Sequence, residues 1–417
     1  MKNTKPTRAE FYETAVSIGY YGSEASGLSG RKDYVRKFWE DIVIKMACRP
    51  YIEKIVSTAK SVRILDMGSG SGDGYELLTH IPCSSQKDNV GSDFILMPSN
   101  VEEYNGIDIN KQELERGKLK YPQNPNIKFE YANLENGLPS NILDGKSYDI
   151  YLSTYGSLSF LEPGQLENLL LQIFNHSHSG SVLVFDVLGK FCPAWPKYWS
   201  QTKTMLPYSF SYLELNGKKN YHNVEWIDLA FWSIEGLKNH LLSAASKAGV
   251  KLESISFTDR SIFVGRLIDS GLLSNKPMPY RYQVNRLLDN DERAEVRHLK
   301  IELDHLDKFK NINGKVWDRL TDYQRQWNRI IILLEALVHR DDLQVKNFLE
   351  NTDIEVMSDE LKFLTWLFRN ADRFPVVDFW ASVIDPQIAI ILRNIEMSYP
   401  DAVGCGHSLI YAMEIVK

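Results

Sequence analysis

Cysteine is scarce in this chain, and the four present, Cys48, Cys83, Cys192 and Cys405, stand far apart. No two have the short spacing of a zinc site or a dithiol redox centre, so neither chemistry has a motif and the thiols are expected to be reduced. An excess of positive charge is lacking too: 48 Lys and Arg against 54 Asp and Glu give a net charge of −6. That balance offers no broad basic field for a phosphate backbone or anionic lipid, so nucleic acid is not an expected partner. No apolar run is long enough to cross a bilayer, and the opening Met1-Lys2-Asn3-Thr4-Lys5-Pro6 has no apolar signal core. A cytoplasmic protein, off the membrane, is the expectation. Internal repeats and low-complexity tracts are absent as well.

What is present is enough to fold. Hydrophobic residues make up 43% and charged residues 24% of 417, an ordinary globular balance in a chain longer than one compact core usually supports. Residues 1–60 read as a helical cap, with Tyr34, Phe38, Ile42 and Ile44 giving one apolar face over 33–46. From 61 to 267 short apolar runs alternate with amphipathic stretches, the pattern of strand–helix crossovers around a parallel sheet. Strands are expected at 63–67, 104–109, 127–131, 148–154 and 181–187, with helices at 75–80, 111–119, 163–175 and 233–248. Two late strands, 252–258 and 261–266, are separated only by Asp259 and Arg260, so a tight antiparallel hairpin is expected there. Residues 280–417 read as a helical region, with amphipathic segments at 284–309, 316–337, 359–368 and 386–397. The last run, 407–416, reads equally as a helix or an edge strand.

The chemistry concentrates after the first strand. Arg63-Ile64-Leu65-Asp66-Met67 runs into Gly68-Ser69-Gly70-Ser71-Gly72-Asp73-Gly74 and then a helix. Glycines let such a turn approach a ligand closely, and the helix that follows offers free N–H groups, so a nucleotide-like cofactor is the natural occupant. A dinucleotide fingerprint would place its third glycine at position 73, where Asp73 stands. Asp66, two residues before the first glycine, suits a cationic amino-acid moiety better than a pyrophosphate. Spacing and charge both favour S-adenosylmethionine over NAD or FAD.

Through Leu65-Asp66-Met67-Gly68-Ser69-Gly70-Ser71-Gly72 the chain resembles the class I S-adenosylmethionine-dependent methyltransferases, over roughly residues 60–267. The resemblance implies an α/β fold with a Rossmann-like sheet, here with an N-terminal helical segment and a helical C-terminal extension. It also implies a loop that wraps the methionine part of the cofactor through Asp66, Gly68, Ser69, Gly70 and Gly72. The acid ending the second strand, which binds the ribose hydroxyls, corresponds to Asp108, followed by Ile109; the bland alternative for Asp108 is a helix cap. Asn133 and Leu134 fall where the family contacts adenine, though Asn133 also reads as an ordinary turn residue. Thr154, Tyr155 and Ser157, after the fourth strand, would border the sulfonium and the acceptor. Asp108 follows Gly68 by about twice the spacing of a compact unit. The polar stretch from Cys83 to about Glu103 accounts for the excess as a surface loop.

For the acceptor, the stretch 189–232 is dense in aromatics, and its Trp195 and Trp199, four apart, would share a face if helical. It reads either as a wall over a small organic acceptor or as a satellite hydrophobic cluster. His222 is the candidate general base, with a surface or loop role as its ordinary alternative, and Tyr155 an orienting hydroxyl. Tyr21 and Arg36 are candidates to close over the cofactor, with Arg36 pairing its carboxylate; an exposed helix-face arginine is the ordinary alternative. The helical region would serve as lid, homodimer contact or docking platform for a carrier protein. The reading that follows is methyl transfer to a small metabolite in a biosynthetic pathway, with no metal. Its rivals are transfer to a carrier-tethered intermediate and a cofactor-binding scaffold without turnover.

Overall fold

A computed structural model describes residues 34–83, 94–209, 226–268, 280–289, 291, 293–339, 341–350 and 358–417. Among the described residues nine strands form one sheet: β1 Val62–Met67, β2 Val101–Asp108, β3 Ile127–Tyr131, β4 Ile150–Ser153, β5 Val182–Gly189, β6 Met205–Ser209, β7 Trp226–Trp232, β8 Lys251–Arg260 and β9 Ser408–Val416. The first five lie in the order β3-β2-β1-β4-β5, all parallel. Strand β5, Val-Leu-Val-Phe-Asp-Val-Leu-Gly, is buried along its whole length, as befits a run apolar but for Asp186 and covered on both faces.

Along each inner strand alternate side chains enter different cores. Leu65, Leu183, Phe185 and Val187 join the helix Pro163–His176 and the helix Ile234–Ala248 on one face. Ile64, Val182 and Val184 join the helices Asp41–Thr58 and Asp73–Thr79 on the other, as the two-residue period of a strand requires. Local sequence sets these helices. Glu162 and Gln165 close a capping box with Pro163 at the first position, Ser233 accepts from the Gly236 N–H at 3.1 Å, and Asn110 accepts from the Glu113 N–H at 3.0 Å.

Three expectations are corrected. The hairpin at Asp259–Arg260 does not form: β8 pairs antiparallel with β9, from Lys251 opposite Val416 to Arg260 opposite Ser408, while the chain turns away at Ser261 with φ +61°. Two adjacent apolar runs fit a hairpin by pattern alone, but a distant third run, 408–416, takes the partner's place. Residues 407–416 are therefore neither a helix nor an edge strand. β9 lies between β5 and β8, and the helical residues from 280 to about 400 are inserted before the last strand of the sheet.

Third, the expected helix 284–309 is broken into the helix Tyr280–Arg286 and two 3-10 turns, Val296–Leu299 and Asp304–Phe309. The Asp289 carboxylate accepts from the Asp291 N–H at 2.9 Å, a local bond that competes with helix propagation. The rest of the insertion packs its own core around the helix Gly314–Val338, and Val35 and Trp39 from the N-terminal side join that core. Past the end of β4, β7 takes over the edge of β5, so that Leu188 pairs with Phe231 on one side and Ser408 on the other. Among the described residues no helix is long and apolar enough to cross a membrane.

Candidate active site

The C-terminal ends of β1, β2 and β4 converge on the turn Gly68–Gly72. Gly68 and Ser69 donate their N–H groups to the Ile107 carbonyl at 2.8 and 3.1 Å, which seats the turn on β2. Gly68 has φ +74°, and a Cβ there would lie 2.5 Å from the Ser157 Cβ, so only glycine lets the turn pass beneath the segment after β4. The Asp108 carboxylate then fixes the other side. One oxygen accepts from Gly70 N–H at 2.8 Å and the other from Asn110 N–H at 2.7 Å. Burial pushes this carboxyl above its ordinary range, against the pull of those N–H groups.

Around the turn lies a two-lobed cleft. One lobe, of about 710 Å³ counted out to open solvent, is lined by Arg36, Asp73, Glu113, Thr154, Tyr155 and Arg266 beside the glycines. The other, of about 500 Å³, is lined by Ile109, Ala132, Asn133, Leu134, Phe160 and Leu161. Gly68, Asp108 and Ser157 belong to both, so Asp108 stands at the waist. Asn133 does two things at once: it borders the second lobe, and its Oδ1 accepts from Glu135 N–H at 3.0 Å to cap a short turn.

At the far end of the first lobe, Arg36 forms an ion pair with Asp73. Burial acts to raise the Asp73 pKa, but Arg36 and Lys120 outweigh it and hold the carboxyl well below its usual range. Tyr155 adopts φ +61°, a strained backbone for a bulky residue, at the turn that closes β4. Its ring lies near three guanidiniums, Arg36 at 4.9 Å, Arg260 at 5.1 Å and Arg266 at 5.7 Å, and its hydroxyl donates to Asp41. Burial and the neighbouring Asp41 push the phenol well up, so it stays protonated. Behind it the buried Asp186 accepts from Gly156 N–H and from Arg260 Nη2, the latter at 2.8 Å, and Glu40 reaches Arg260 Nη1 at 3.4 Å.

The structure thus brings Arg36, Gly68, Ser69, Gly70, Asp108, Ile109, Asn133, Leu134, Thr154, Tyr155 and Ser157 to one cleft. Tyr21 and His222 lie outside the described residues. Asp66 and Gly72 are not among the described residues that line the cleft. The Asp66 carboxylate is buried beneath the turn and accepts from the Tyr104 hydroxyl; burial pushes it up to about 7. Gly72, with φ +88°, packs where a Cβ would sit 2.7 Å from the Phe129 ring.

The shared face of Trp195 and Trp199 is also corrected. They flank a 3-10 turn, Pro196–Tyr198, in which residues four apart point roughly 120° from each other. Trp195 Nε1 donates to the Gly189 carbonyl at 2.9 Å and its ring packs on Phe231 at 4.9 Å. Trp199 Nε1 donates to the Cys192 carbonyl at 3.0 Å and its ring meets Phe309 of the helical insertion at 6.1 Å. Both are buried, in separate cores, and neither is among the described lining residues.

Sequence reasoning missed Asp73, Glu113, Arg266 and Phe160 in the lining, and Arg260 and Asp186 behind it. For Asp73 the signal was in hand, as the residue that replaces a glycine. Arg260 and Arg266 lie nearly 200 residues from the glycine turn and carry no local signal.

A sheet ordered β3-β2-β1-β4-β5 and closed by β9, antiparallel, and then β8, with a glycine turn after β1 and an acid ending β2, defines a Rossmann-like α/β fold. No family model and no curated protein sequence matches this chain. Solved structures similar to it include an S-adenosylmethionine-dependent methyltransferase from Mesorhizobium loti, 16% identical over 50% of this chain and 83% of that one, with a TM-score of 0.32. Another, from Clostridium acetobutylicum ATCC 824, is 12% identical over 59% and 90%, with a TM-score of 0.35. The DhpI-SAM-HEP complex is 13% identical over 62% and 95%, also at 0.35.

Proposed function

We propose that this chain is an S-adenosylmethionine-dependent methyltransferase whose acceptor is a small organic metabolite of a biosynthetic pathway. One observation carries the reading: the Asp108 carboxylate, anchored by two backbone N–H groups, stands at the waist between a charged lobe and a largely apolar one. The cofactor's parts have matching demands. A ribose offers two hydroxyl donors to a carboxylate, whose oxygens keep lone pairs free after each accepts one N–H. Adenine suits a lobe with Ile109, Ala132, Leu134, Phe160 and Leu161. The amino-acid end is a zwitterion, and the Arg36–Asp73 pair offers both signs to it. A dinucleotide would bring its pyrophosphate to the start of the helix Asp73–Thr79, where the Asp73 carboxylate repels it.

Bound there, the cofactor supplies an electrophilic methyl group on a sulfonium. The protein's task is alignment, since displacement at that carbon needs an in-line nucleophile and little else. The turn Thr154–Ser157 faces the first lobe and would hold the acceptor against the cofactor, with Arg266 alongside. Tyr155 serves as a rigid wall rather than a base, because its hydroxyl is committed to Asp41 and its proton is tightly held. Where the acceptor must lose a proton, His222 remains the candidate base.

Calorimetry with S-adenosylmethionine, S-adenosylhomocysteine and NAD tests the reading. Binding of the two sulfur ligands with no response to NAD is expected; the reverse would overturn it. Transfer of labelled methyl to candidate acceptors then separates an enzyme from a binding protein.

A further inference from the structure

The cleft residue Arg36 does not reach its position through the sheet. It sits in a π-helical turn, Val35–Glu40, that precedes the helix Asp41–Thr58. A π turn holds one residue more per hydrogen-bonded ring than an α turn, is rare, and persists where surrounding contacts select it. Here the selecting contacts come from the helical insertion between β8 and β9. The Val35 N–H donates to Asn285 Oδ1 at 2.9 Å, from the helix Tyr280–Arg286. At the other end, Arg393 Nη1 donates to the Phe38 carbonyl at 3.0 Å, and its guanidinium lies 4.5 Å from the Phe38 ring centroid. Next to Phe38, Trp39 is fully buried, its ring 6.0 Å from Trp327 of the insertion.

The next residue, Glu40, faces the sheet side. Its Oε1 accepts from Arg266 N–H at 3.0 Å and from the Ser261 hydroxyl at 3.1 Å. The turn is therefore gripped by the insertion at Val35 and Phe38 and by the segment that follows β8 at Glu40, and Arg36 projects from this gripped turn to Asp73 and Tyr155.

The geometry points to the helical insertion as a working part of the cofactor site: Asn285 and Arg393 are positioning residues that hold the π turn so that Arg36 meets the carboxylate of the bound amino-acid moiety. This rests on the methyltransferase reading and adds to it a role for residues outside the catalytic fold. A guanidinium has five donors, so Arg36 can keep Asp73 and still accept a second carboxylate partner.

The test compares two ligands in calorimetry with the full-length chain. S-adenosylhomocysteine has the amino-acid group; 5′-methylthioadenosine carries the same nucleoside and sulfur without it. For Arg393→Ala, affinity for the first is expected to fall at least fivefold while affinity for the second stays within twofold of wild type. Asn285→Leu should behave alike, and Asn285→Asp, which keeps an acceptor for the Val35 N–H, should retain wild-type affinity for both. In the Arg36→Ala background, Arg393→Ala should cost little further. Equal losses for both ligands would reduce these residues to structural supports and overturn the inference, as would no loss for either. Should Arg393→Ala fail to fold, the Asn285 pair decides by the same ratio. If the wild-type protein binds neither ligand, it is the reading of the cleft that fails, and the inference falls with it.

Discussion

Gly70 donates its backbone N–H to the Asp108 carboxylate at 2.8 Å, tying the glycine turn after β1 to the end of β2 across 38 residues of sequence. The same carboxylate therefore shapes the site and is proposed to bind in it. Asp108→Ala should weaken S-adenosylhomocysteine by about 1.5–3 kcal/mol, since charged hydrogen bonds to the ribose and the ordering of the turn are lost together. Asp108→Asn, with a single acceptor oxygen for two N–H groups, should fall between. Isothermal titration beside melting curves checks both; affinity within twofold of wild type for the alanine variant would remove Asp108 from the site.

Gly68→Ala is the sharper test of the turn. The new methyl would meet the Ser157 Cβ at 2.5 Å, and φ +74° adds a backbone cost of about 1–2 kcal/mol for any L side chain. A lower melting temperature and loss of cofactor binding are expected together. A variant that melts and binds like wild type would show that the turn is not closely packed on the segment after β4.

Asp66 makes a pH prediction. Burial pushes its carboxyl up to about 7, partly opposed by the bond from the Tyr104 hydroxyl, whereas in the unfolded chain it titrates near ~4. Between those values the folded state holds a proton that the unfolded state has released, so this group's contribution to stability is full at the acid end and declines as pH rises through the window. Glu396, also pushed up to about 7 by burial, acts in the same direction. Asp66→Asn removes its own share of that decline, so its melting temperature relative to wild type should climb between pH 4.5 and 8. A constant offset across that range would mean Asp66 is ionised throughout.

Trp195→Ala and Trp199→Ala should each cost about 3–5 kcal/mol of stability, because both rings are buried in cores. Trp199 spans the sheet domain and the insertion, so its loss should also raise proteolysis between them. A selective loss of acceptor turnover with an unchanged melting temperature would return these residues to the acceptor site.

Removing residues 408–417 should abolish folding. Their strand pairs on both sides, with β5 from Val182 to Leu188 and with β8 from Lys251 to Arg260. Circular dichroism and size exclusion on the truncated chain would show it, and a truncated protein with native melting would contradict the strand order.

How much of this was legible beforehand follows from how far each interaction reaches. The sequence alone determined the parallel strands β1 to β5, the helices between them, the glycine turn and Asp108. Each depends on a periodicity, a cap or a spacing written within a few tens of residues, and a fully buried strand such as β5 can hardly be anything else. The tertiary structure decided the rest. An apolar run such as 261–266 satisfies the hairpin pattern as well as 408–416 does. Only competition for the edge of β8, settled by β9 pairing with β5 on its other side, could choose between them. The fate of Trp195 and Trp199 turned on whether four residues formed an α or a 3-10 turn, a difference that Pro196 and the surrounding core select. The arginines around Tyr155 come from Arg36, Arg260 and Arg266, which share no local pattern. They meet because the π turn before the helix Asp41–Thr58 and the chain at and just after the end of β8 come to the same cleft, and no window of sequence contains that meeting.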